Sequence, residues 1–225
     1  MKIRKLVLTG LCLATLPLAA KDSVLLLGDS MMKAIAPTLE QKFTAAGWDV
    51  KSSTAIGTGL ARLDLYDWMA QAAMVVSSAK ADVAVVMMGA NDNQPMRTTD
   101  GVVRHGAPEW QKEYTSRVAR FVEALLKNGI KQVIWVELPA MRDDKLNADI
   151  QGINAAARDG VAQYKQTWFE TRVMLSKTPD GAYSAYVIQS NGMPLHIRAE
   201  DGVHLNRKGA DWLADKLVPA VKAKI

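Results

Sequence analysis

Short apolar runs alternate along the chain with segments whose apolar residues recur at helical spacing. The runs predict five β-strands, at residues 23–27, 49–53, 83–88, 132–137 and 167–170. The periodic segments predict five helices, at residues 34–46, 66–78, 110–127, 145–164 and 206–223, the last capped by Asn206. Residues 93–108 are expected to form a polar loop, and residues 171–200 to be irregular.

The order of these elements predicts the fold class. Residues 83–88 are apolar at every position, which is typical of a parallel strand that helices cover on both faces. Strands that alternate with helices indicate an α/β protein. We therefore predict a three-layer sandwich with a central parallel sheet of about five strands and helices on both faces.

The first twenty residues predict a secretory signal that is not part of this fold. Basic residues at positions 2, 4 and 5 precede an apolar run at residues 6–16, and small residues end the segment. The run is shorter than the roughly 20 apolar residues that span a bilayer. We expect a signal peptide over residues 1–20, a single domain over residues 21–225, and a periplasmic or secreted protein. An uncleaved amphipathic anchor is the alternative.

Composition and charge narrow the classes of function. The chain has 225 residues, of which 49% are hydrophobic and 23% charged, as in one soluble globular domain. The formal net charge is +5, and without the three basic residues of the leader it is +2. A charge so small does not form a phosphate-binding face, so nucleic acid is excluded as a partner. The one cysteine, Cys12, lies in the leader, so the mature protein has neither a disulfide nor a thiol nucleophile.

Polar, glycine-containing loops follow the first three predicted strands. The first loop is residues 28–30 (Gly-Asp-Ser), the second contains Gly57 and Gly59, and the third is residues 89–92 (Gly-Ala-Asn-Asp). Ligands bind beyond the carboxyl ends of parallel strands, so we expect the three loops to meet at that edge of the sheet. Ser30 would then lie at a helix N-terminus, in the field of unpaired backbone N–H groups.

A serine nucleophile needs a base, a group that orients the base, and donors for the oxyanion. His204 follows Asp201 by three residues, and across a turn the carboxylate can face the imidazole and fix its tautomer. We predict Ser30 as the nucleophile, His204 as the general base and Asp201 as its orienting carboxylate. Candidate oxyanion donors are the Asn91 amide and the backbone N–H groups of Ser30 and of Gly57 or Gly59.

The other polar candidates are given simpler interpretations. His105 and His196 are interpreted as loop residues, and Trp68 as a core residue rather than part of a cleft. Arg62 and Arg97 either contact a polar substrate or lie solvated on the surface. No spacing of His, Cys and Asp resembles a zinc site, so neither a metal nor another cofactor is expected. Ser30 lacks the Gly-x-Ser-x-Gly pattern, which argues against the nucleophile elbow of α/β-hydrolases.

The three loops and residues 201–204 (Asp-Gly-Val-His) together resemble the SGNH (GDSL-type) hydrolase family. The resemblance covers the chain from residue 21 onward, and it implies the same roles for Ser30, Asp201, His204 and Asn91. One departure is a methionine pair after Gly-Asp-Ser, where the family has leucine. Residues 58–68 are similar to an exported branch of the family associated with O-acetylation of cell-envelope polysaccharides, and this similarity favours Gly59 over Gly57.

The resemblance implies an exported serine esterase that removes short acyl groups, above all acetyl, from cell-envelope polysaccharide through an acyl-Ser30 intermediate. The first alternative is a polysaccharide O-acetyltransferase, which would need a membrane acyltransferase partner as its acyl donor. A lysophospholipase or thioesterase is the second, although the polar residues 93–108 suit a sugar better than an alkyl chain. The alternatives without catalysis are a glycan-binding module and a structural partner of an envelope assembly.

Overall fold

A computed structural model of the chain describes residues 21–224, and the predicted signal peptide at residues 1–20 lies outside them. The elements follow in the order β1 (Ser23–Gly28), α1 (Ser30–Ala45), β2 (Asp49–Thr54), α2 (Trp68–Ala79), β3 (Val83–Met87), β4 (Met96–Thr98), β5 (Gly101–Val103), α3 (Pro108–Lys127), β6 (Gln132–Val136), α4 (Asp144–Ala162), β7 (Thr167–Phe169), β8 (Tyr186–Ile188), β9 (Pro194–His196) and α5 (Arg207–Lys222).

Five strands form a parallel sheet in the order β2-β1-β3-β6-β7. Every residue of β1 and of β3 is buried, as expected when helices cover both faces of a central strand. The strand β2 lies at the edge of the sheet and is partly exposed to solvent, which explains why its sequence is less apolar than those of β1 and β3. Helix α1 packs against α5, whereas α3 packs against both α2 and α4, and the two groups cover opposite faces. The predicted three-layer α/β sandwich is confirmed.

Capping side chains fix where several helices begin. Asp67 accepts hydrogen bonds from the N–H groups of Met69 and Ala70 at the start of α2. Asn206 accepts one from Gly209 at the start of α5, so the predicted cap of the closing helix is confirmed. Among the helices of residues 21–224, none is both long enough and apolar enough to cross a membrane.

Two antiparallel hairpins lie where we predicted a polar loop and irregular chain. Strands β4 and β5 pair within residues 93–108, and β8 pairs with β9 within residues 171–200. Each strand has only three residues, too short for a periodic pattern to indicate it. Each hairpin has one fully buried apolar side chain in its first strand, Met96 in β4 and Val187 in β8, and this side chain belongs to the hydrophobic core.

Candidate active site

Ser30 is placed by the tight junction between β1 and α1. Strand β1 ends at Gly28, where a Cβ atom would lie 1.9 Å from the carbonyl oxygen of Met87 on β3, so only glycine fits. Asp29 then caps α1 by accepting a hydrogen bond from the N–H of Met31 at 2.8 Å. Ser30 is the first residue of the helix, and its N–H donates to no acceptor within residues 21–224.

Ser30, His204 and Asp201 form one continuous chain of hydrogen bonds. The Nε2 atom of His204 lies 2.8 Å from Oγ of Ser30, and Nδ1 lies 2.7 Å from Oδ2 of Asp201. The carboxylate accepts the Nδ1 proton, which leaves the Nε2 lone pair facing the serine hydroxyl. The structure therefore brings Ser30 together with Asp201 and His204, although 174 residues separate Ser30 from His204.

The turn of residues 201–204 holds Asp201 as well as His204. Oδ1 of Asp201 accepts hydrogen bonds from the N–H groups of Val203 at 2.8 Å and His204 at 3.0 Å. Burial raises the pKa of Asp201, but hydrogen bonds from the His204 ring and from these two N–H groups outweigh it and lower the pKa to about 2. Asp201 is therefore an anion at every pH near neutrality.

The two candidate glycines of the second loop have different surroundings. Gly57 is exposed with a left-handed φ of +74°, and a Cβ atom there would meet nothing within 4 Å. Gly59 is buried, and its backbone N–H donates to no acceptor in the part of the chain that the structure describes. An N–H without an acceptor is what an oxyanion donor requires.

Asn91 reaches from the third loop to the second. Its Nδ2 donates to the carbonyl oxygen of Thr58 at 3.0 Å, beside Gly59. The second Nδ2 hydrogen has only a long contact with Oδ2 of Asp29, at 3.5 Å. The amide therefore fixes the distance between the two loops and keeps one donor for a ligand.

Asp29 is a supporting residue to which the sequence analysis gave no role of its own. Its Oδ2 accepts hydrogen bonds from the N–H groups of Gly89 at 2.9 Å and Ala90 at 3.1 Å. It therefore ties the first loop to the third while it caps α1. Burial raises the pKa of Asp29 to about 6, against the hydrogen bonds from Met31 and Gly89 that lower it.

A second buried carboxylate, Asp92, holds the second loop. It accepts hydrogen bonds from the N–H groups of Leu60 at 2.9 Å and Ala61 at 2.8 Å, and from the hydroxyl of Tyr114 at 2.7 Å. Burial raises the pKa of Asp92, and these hydrogen bonds oppose that rise. Burial also raises the pKa of Tyr114, so its hydroxyl stays protonated and keeps donating.

Arg117 on α3 holds the same loop through its carbonyl groups. Its Nη1 donates to the carbonyl oxygens of Leu60 and Ala61, each at 2.9 Å, and its Nε donates to Glu113 at 2.7 Å. The loop next to Gly59 is thus bound at its N–H groups by Asp92 and at its carbonyls by Arg117. Asp92 belongs to a motif that the sequence analysis identified, whereas nothing in the helical pattern of α3 marks Tyr114 or Arg117.

Arg198 supports the turn that carries His204. It is buried, its guanidinium donates to the carbonyl oxygen of Ala140, and it lies over the Tyr183 ring at 5.0 Å from the centroid. Its backbone pairs with that of Leu205, so the two chain segments that flank the 201–204 turn lie side by side. The turn is therefore anchored to the loop after β6.

The structure does not bring the remaining polar candidates into the hydrogen-bonded chain. His105 faces Asp149 at 3.6 Å, and His196 lies on the exposed strand β9. Arg62 pairs with Asp64 at 2.8 Å. Trp68 is fully buried, so the prediction that it belongs to the core is confirmed.

Trp68 also supports the second loop, because its Nε1 donates to Oγ1 of Thr58 at 3.1 Å. The backbone carbonyl of Arg97 accepts a hydrogen bond from Arg117. Within residues 21–224, no group of three or more His, Cys, Asp or Glu residues is arranged to hold a metal ion.

The sheet order and the serine at its carboxyl edge define the class of protein, an α/β protein with the fold of the SGNH (GDSL-type) hydrolases. A GDSL-like lipase from Bacteroides thetaiotaomicron matches with a TM-score of 0.61 and 17% identity, over 90% of this chain and 88% of that chain. The acetyl xylan esterase AlAXEase matches with a TM-score of 0.62 and 21% identity, over 88% of this chain and 98% of that chain. A catalytic mutant of Axe2, an acetylxylan esterase from Geobacillus stearothermophilus, matches with a TM-score of 0.60 and 15% identity, over 91% of this chain and 95% of that chain.

These likenesses confirm the fold that the sequence resemblance implied. Residues 23–220 match the model of the family described as "Protein of unknown function (DUF459)", and the chain belongs to that family. No curated protein matches the chain by sequence.

Proposed function

We propose that this protein is an exported serine esterase that removes acetyl groups from cell-envelope polysaccharide through an acyl-Ser30 intermediate. The observation that carries the proposal is the continuous hydrogen-bonded chain from Asp201 through His204 to the hydroxyl of Ser30. It supplies a nucleophile, a base in contact with it, and an anion that fixes the tautomer of the base.

The first half of the reaction transfers the acyl group to the protein. Ser30 Oγ attacks the ester carbonyl carbon while His204 Nε2 takes the hydroxyl proton. The C–O bond to the sugar then breaks, and His204 returns the proton to the departing sugar oxygen. Asp201 stays ionised and stabilises the imidazolium that forms in between.

The second half releases the acid. A water molecule gives a proton to His204 and attacks the acyl-Ser30 carbonyl, and His204 then returns the proton to Oγ of Ser30. In both halves, negative charge develops on the carbonyl oxygen. The free N–H groups of Ser30 and Gly59 and the second Nδ2 hydrogen of Asn91 are the donors that would stabilise it.

Two observations support an acetylated glycan as the substrate. Two of the solved structures that share the fold are named as acetyl xylan esterases. The leader of residues 1–20 has the pattern of a secretory signal, which would place the protein where envelope polysaccharides are found. The same residues would pass the acyl group to a sugar hydroxyl instead of water if a membrane acyltransferase partner supplied the donor.

The experiment that tests the proposal compares the wild-type protein with Ser30→Ala on 4-nitrophenyl acetate, butyrate and octanoate. We expect turnover that is highest with acetate and that falls at least roughly 10³-fold in Ser30→Ala, with unchanged thermal melting. Turnover that does not depend on Ser30, or no turnover by the folded protein, would overturn the proposed esterase. Turnover that rises toward octanoate would favour a lipid substrate instead.

A further inference from the structure

A polar cavity of about 340 Å³ lies at the carboxyl edge of the sheet, between α4 and the chain that follows β7. Its volume falls at the lower end of the range for small-molecule sites. The side chains and backbone that line it include Glu137, Gln151, Ala155, Arg158, Asp159 and Arg172. None of these residues belongs to the hydrogen-bonded chain at Ser30.

The floor of the cavity carries a buried carboxylate with one unpartnered oxygen. Glu137 directly follows β6 and is only 6% exposed. Its Oε2 accepts hydrogen bonds from the N–H groups of Thr171 at 2.8 Å and Arg172 at 3.0 Å. Its Oε1 accepts none from residues 21–224, and the nearest cation, Nη2 of Arg158, is 3.9 Å away. Oε1 is not enclosed by the protein, so it is open to the cavity and can accept a hydrogen bond from a ligand.

The walls offer further hydrogen-bonding groups that are held in place. Arg158 pairs with Glu170 at 2.9 Å and lies over the Trp168 ring, 5.3 Å from the centroid. Arg172 uses Nη1 to donate to Oδ1 of Asn147 at 3.2 Å. The side chains of Gln151 and Asp159 form no hydrogen bond with any residue that the structure describes, so their amide and carboxylate are available to a ligand.

The charges around the cavity select the class of ligand. Two guanidinium groups, of Arg158 and Arg172, and three carboxylates, of Glu137, Asp159 and Asp180, line the cavity, and Glu170 pairs with Arg158. This excess of negative charge disfavours phosphate or another strong anion. Donors and acceptors placed side by side suit hydroxyl groups, each of which donates and accepts.

We propose that this cavity is a glycan subsite that binds a neutral sugar residue of the substrate while an acetylated residue lies at Ser30. The inference rests on the proposed function, and it assigns a neutral sugar residue of the same substrate to the cavity. Because β3 lies between β1 and β6 in a parallel sheet, Glu137 and Ser30 follow strands at the same edge.

The segment between the two sites joins them structurally. Asn154, which also lines the cavity, holds the backbone of Leu138 by accepting from its N–H at 3.1 Å and donating to its carbonyl at 2.8 Å. Four residues later, the N–H of Arg142 donates to the carbonyl of Gly202 at 3.1 Å, in the turn that carries His204. One stretch of chain therefore holds both the wall of the cavity and the turn that carries His204.

The test uses one variant that blocks the cavity and one matched control on the same helix. Ala155 is an exposed residue of α4 that lines the cavity, and Ala155→Trp fills it without removing a hydrogen bond. Ala162 is an exposed residue at the far end of α4, and Ala162→Trp adds the same ring away from the cavity. Glu137→Gln keeps an acceptor for the two backbone N–H groups and replaces the free oxygen by a donor.

Binding is measured by calorimetry on proteins that also carry Ser30→Ala, with neutral xylo-oligosaccharides and with uronic-acid and amino-sugar oligosaccharides of matched length. We expect a neutral oligosaccharide to bind the Ser30→Ala protein and its Ala162→Trp form equally. We expect about tenfold weaker binding to the Ala155→Trp and Glu137→Gln forms, each shown to be folded by its melting curve. With an active Ser30, Ala155→Trp should lower kcat/KM for acetylated xylo-oligosaccharide relative to that for 4-nitrophenyl acetate by a similar factor.

Three results would overturn the subsite. They are equal binding by the Ala155→Trp and Ala162→Trp forms, binding confined to the charged oligosaccharides, and no binding of any oligosaccharide. The calorimetry does not depend on turnover, so it is separate from the test of the esterase. Loss of Ser30-dependent turnover with glycan binding intact would reject the proposed function alone.

Discussion

Gly59 lies directly against the buried carboxylate of Asp92: a Cβ atom on Gly59 would fall 2.1 Å from Oδ1. The second loop can approach the third this closely only with glycine at that position. The hydrogen bonds from Leu60 and Ala61 to the same carboxylate then fix the backbone around the free N–H of Gly59. These contacts support Gly59 rather than Gly57 as the oxyanion donor.

Alanine at each of the two glycines should separate their roles. Gly59→Ala forces the loop away from Asp92 and displaces one of the proposed oxyanion donors, so we expect kcat to fall about 10²-fold. Gly57→Ala meets no atom within 4 Å but has a left-handed φ, so it should cost about 1 kcal/mol of stability and little activity. Steady-state turnover of 4-nitrophenyl acetate and thermal melting of both variants check this. A larger loss of kcat in Gly57→Ala would reverse the assignment.

Asn91→Ala removes the amide that spans the second and third loops. We expect kcat to fall about 10²–10³-fold with a much smaller change in KM, because the oxyanion forms only in the transition state. The matched control is Asn93→Ala, since Asn93 donates to Asp149 rather than to Thr58 in the second loop. Turnover by Asn91→Ala at the rate of the Asn93→Ala control would remove Asn91 from the site.

Tyr114→Phe tests the buried support of the second loop. The hydroxyl of Tyr114 donates to Oδ2 of Asp92 at 2.7 Å, and both residues are fully enclosed. Its removal should lower the free energy of unfolding by about 1–3 kcal/mol, because a buried acceptor loses a donor. Tyr66→Phe is the control, since the Tyr66 hydroxyl forms no hydrogen bond with residues 21–224. Urea unfolding of the two variants measures the difference, and equal midpoints would contradict the proposed support.

Much of the fold and the chemical centre could be predicted from the sequence because both follow from local rules. Continuous apolar runs indicated the buried strands β1 and β3, and the rule for parallel sheets placed the loops that follow them at one edge. That rule brought Ser30 and Asn91 together. The spacing of Asp201 and His204 then predicted a hydrogen bond that depends only on one turn.

The residues that the sequence did not indicate are those whose role depends on distant packing. Arg117 lies on an amphipathic helix, where a charged residue ordinarily faces solvent, yet it is buried against carbonyl groups 56 and 57 residues away. Glu137 occupies the end of a predicted strand, and only the tertiary structure shows that one of its oxygens faces a cavity. The two hairpins were missed because three residues are too few to show a period.

Asp29 links the stability of the protein to pH. Its carboxylate is buried and accepts hydrogen bonds from the N–H groups of Met31, Gly89 and Ala90. Burial raises its pKa from 3.8 to about 6. Between about pH 4 and pH 6, the folded protein therefore binds a proton that the unfolded chain has lost. The contribution of Asp29 to stability is fully present below pH 4 and declines as the pH rises through 6.

Asp29→Asn should remove this dependence, since asparagine does not titrate and still caps a helix. The free energy of unfolding of the wild type relative to Asp29→Asn should fall by about 1–3 kcal/mol from pH 4 to pH 7. Urea unfolding of both proteins at unit intervals of pH measures that difference, and other titrating groups cancel in the comparison. A difference that stays constant over this range would contradict the raised pKa. A difference that grows with pH would mean that the three N–H groups outweigh burial and hold Asp29 ionised in the folded protein.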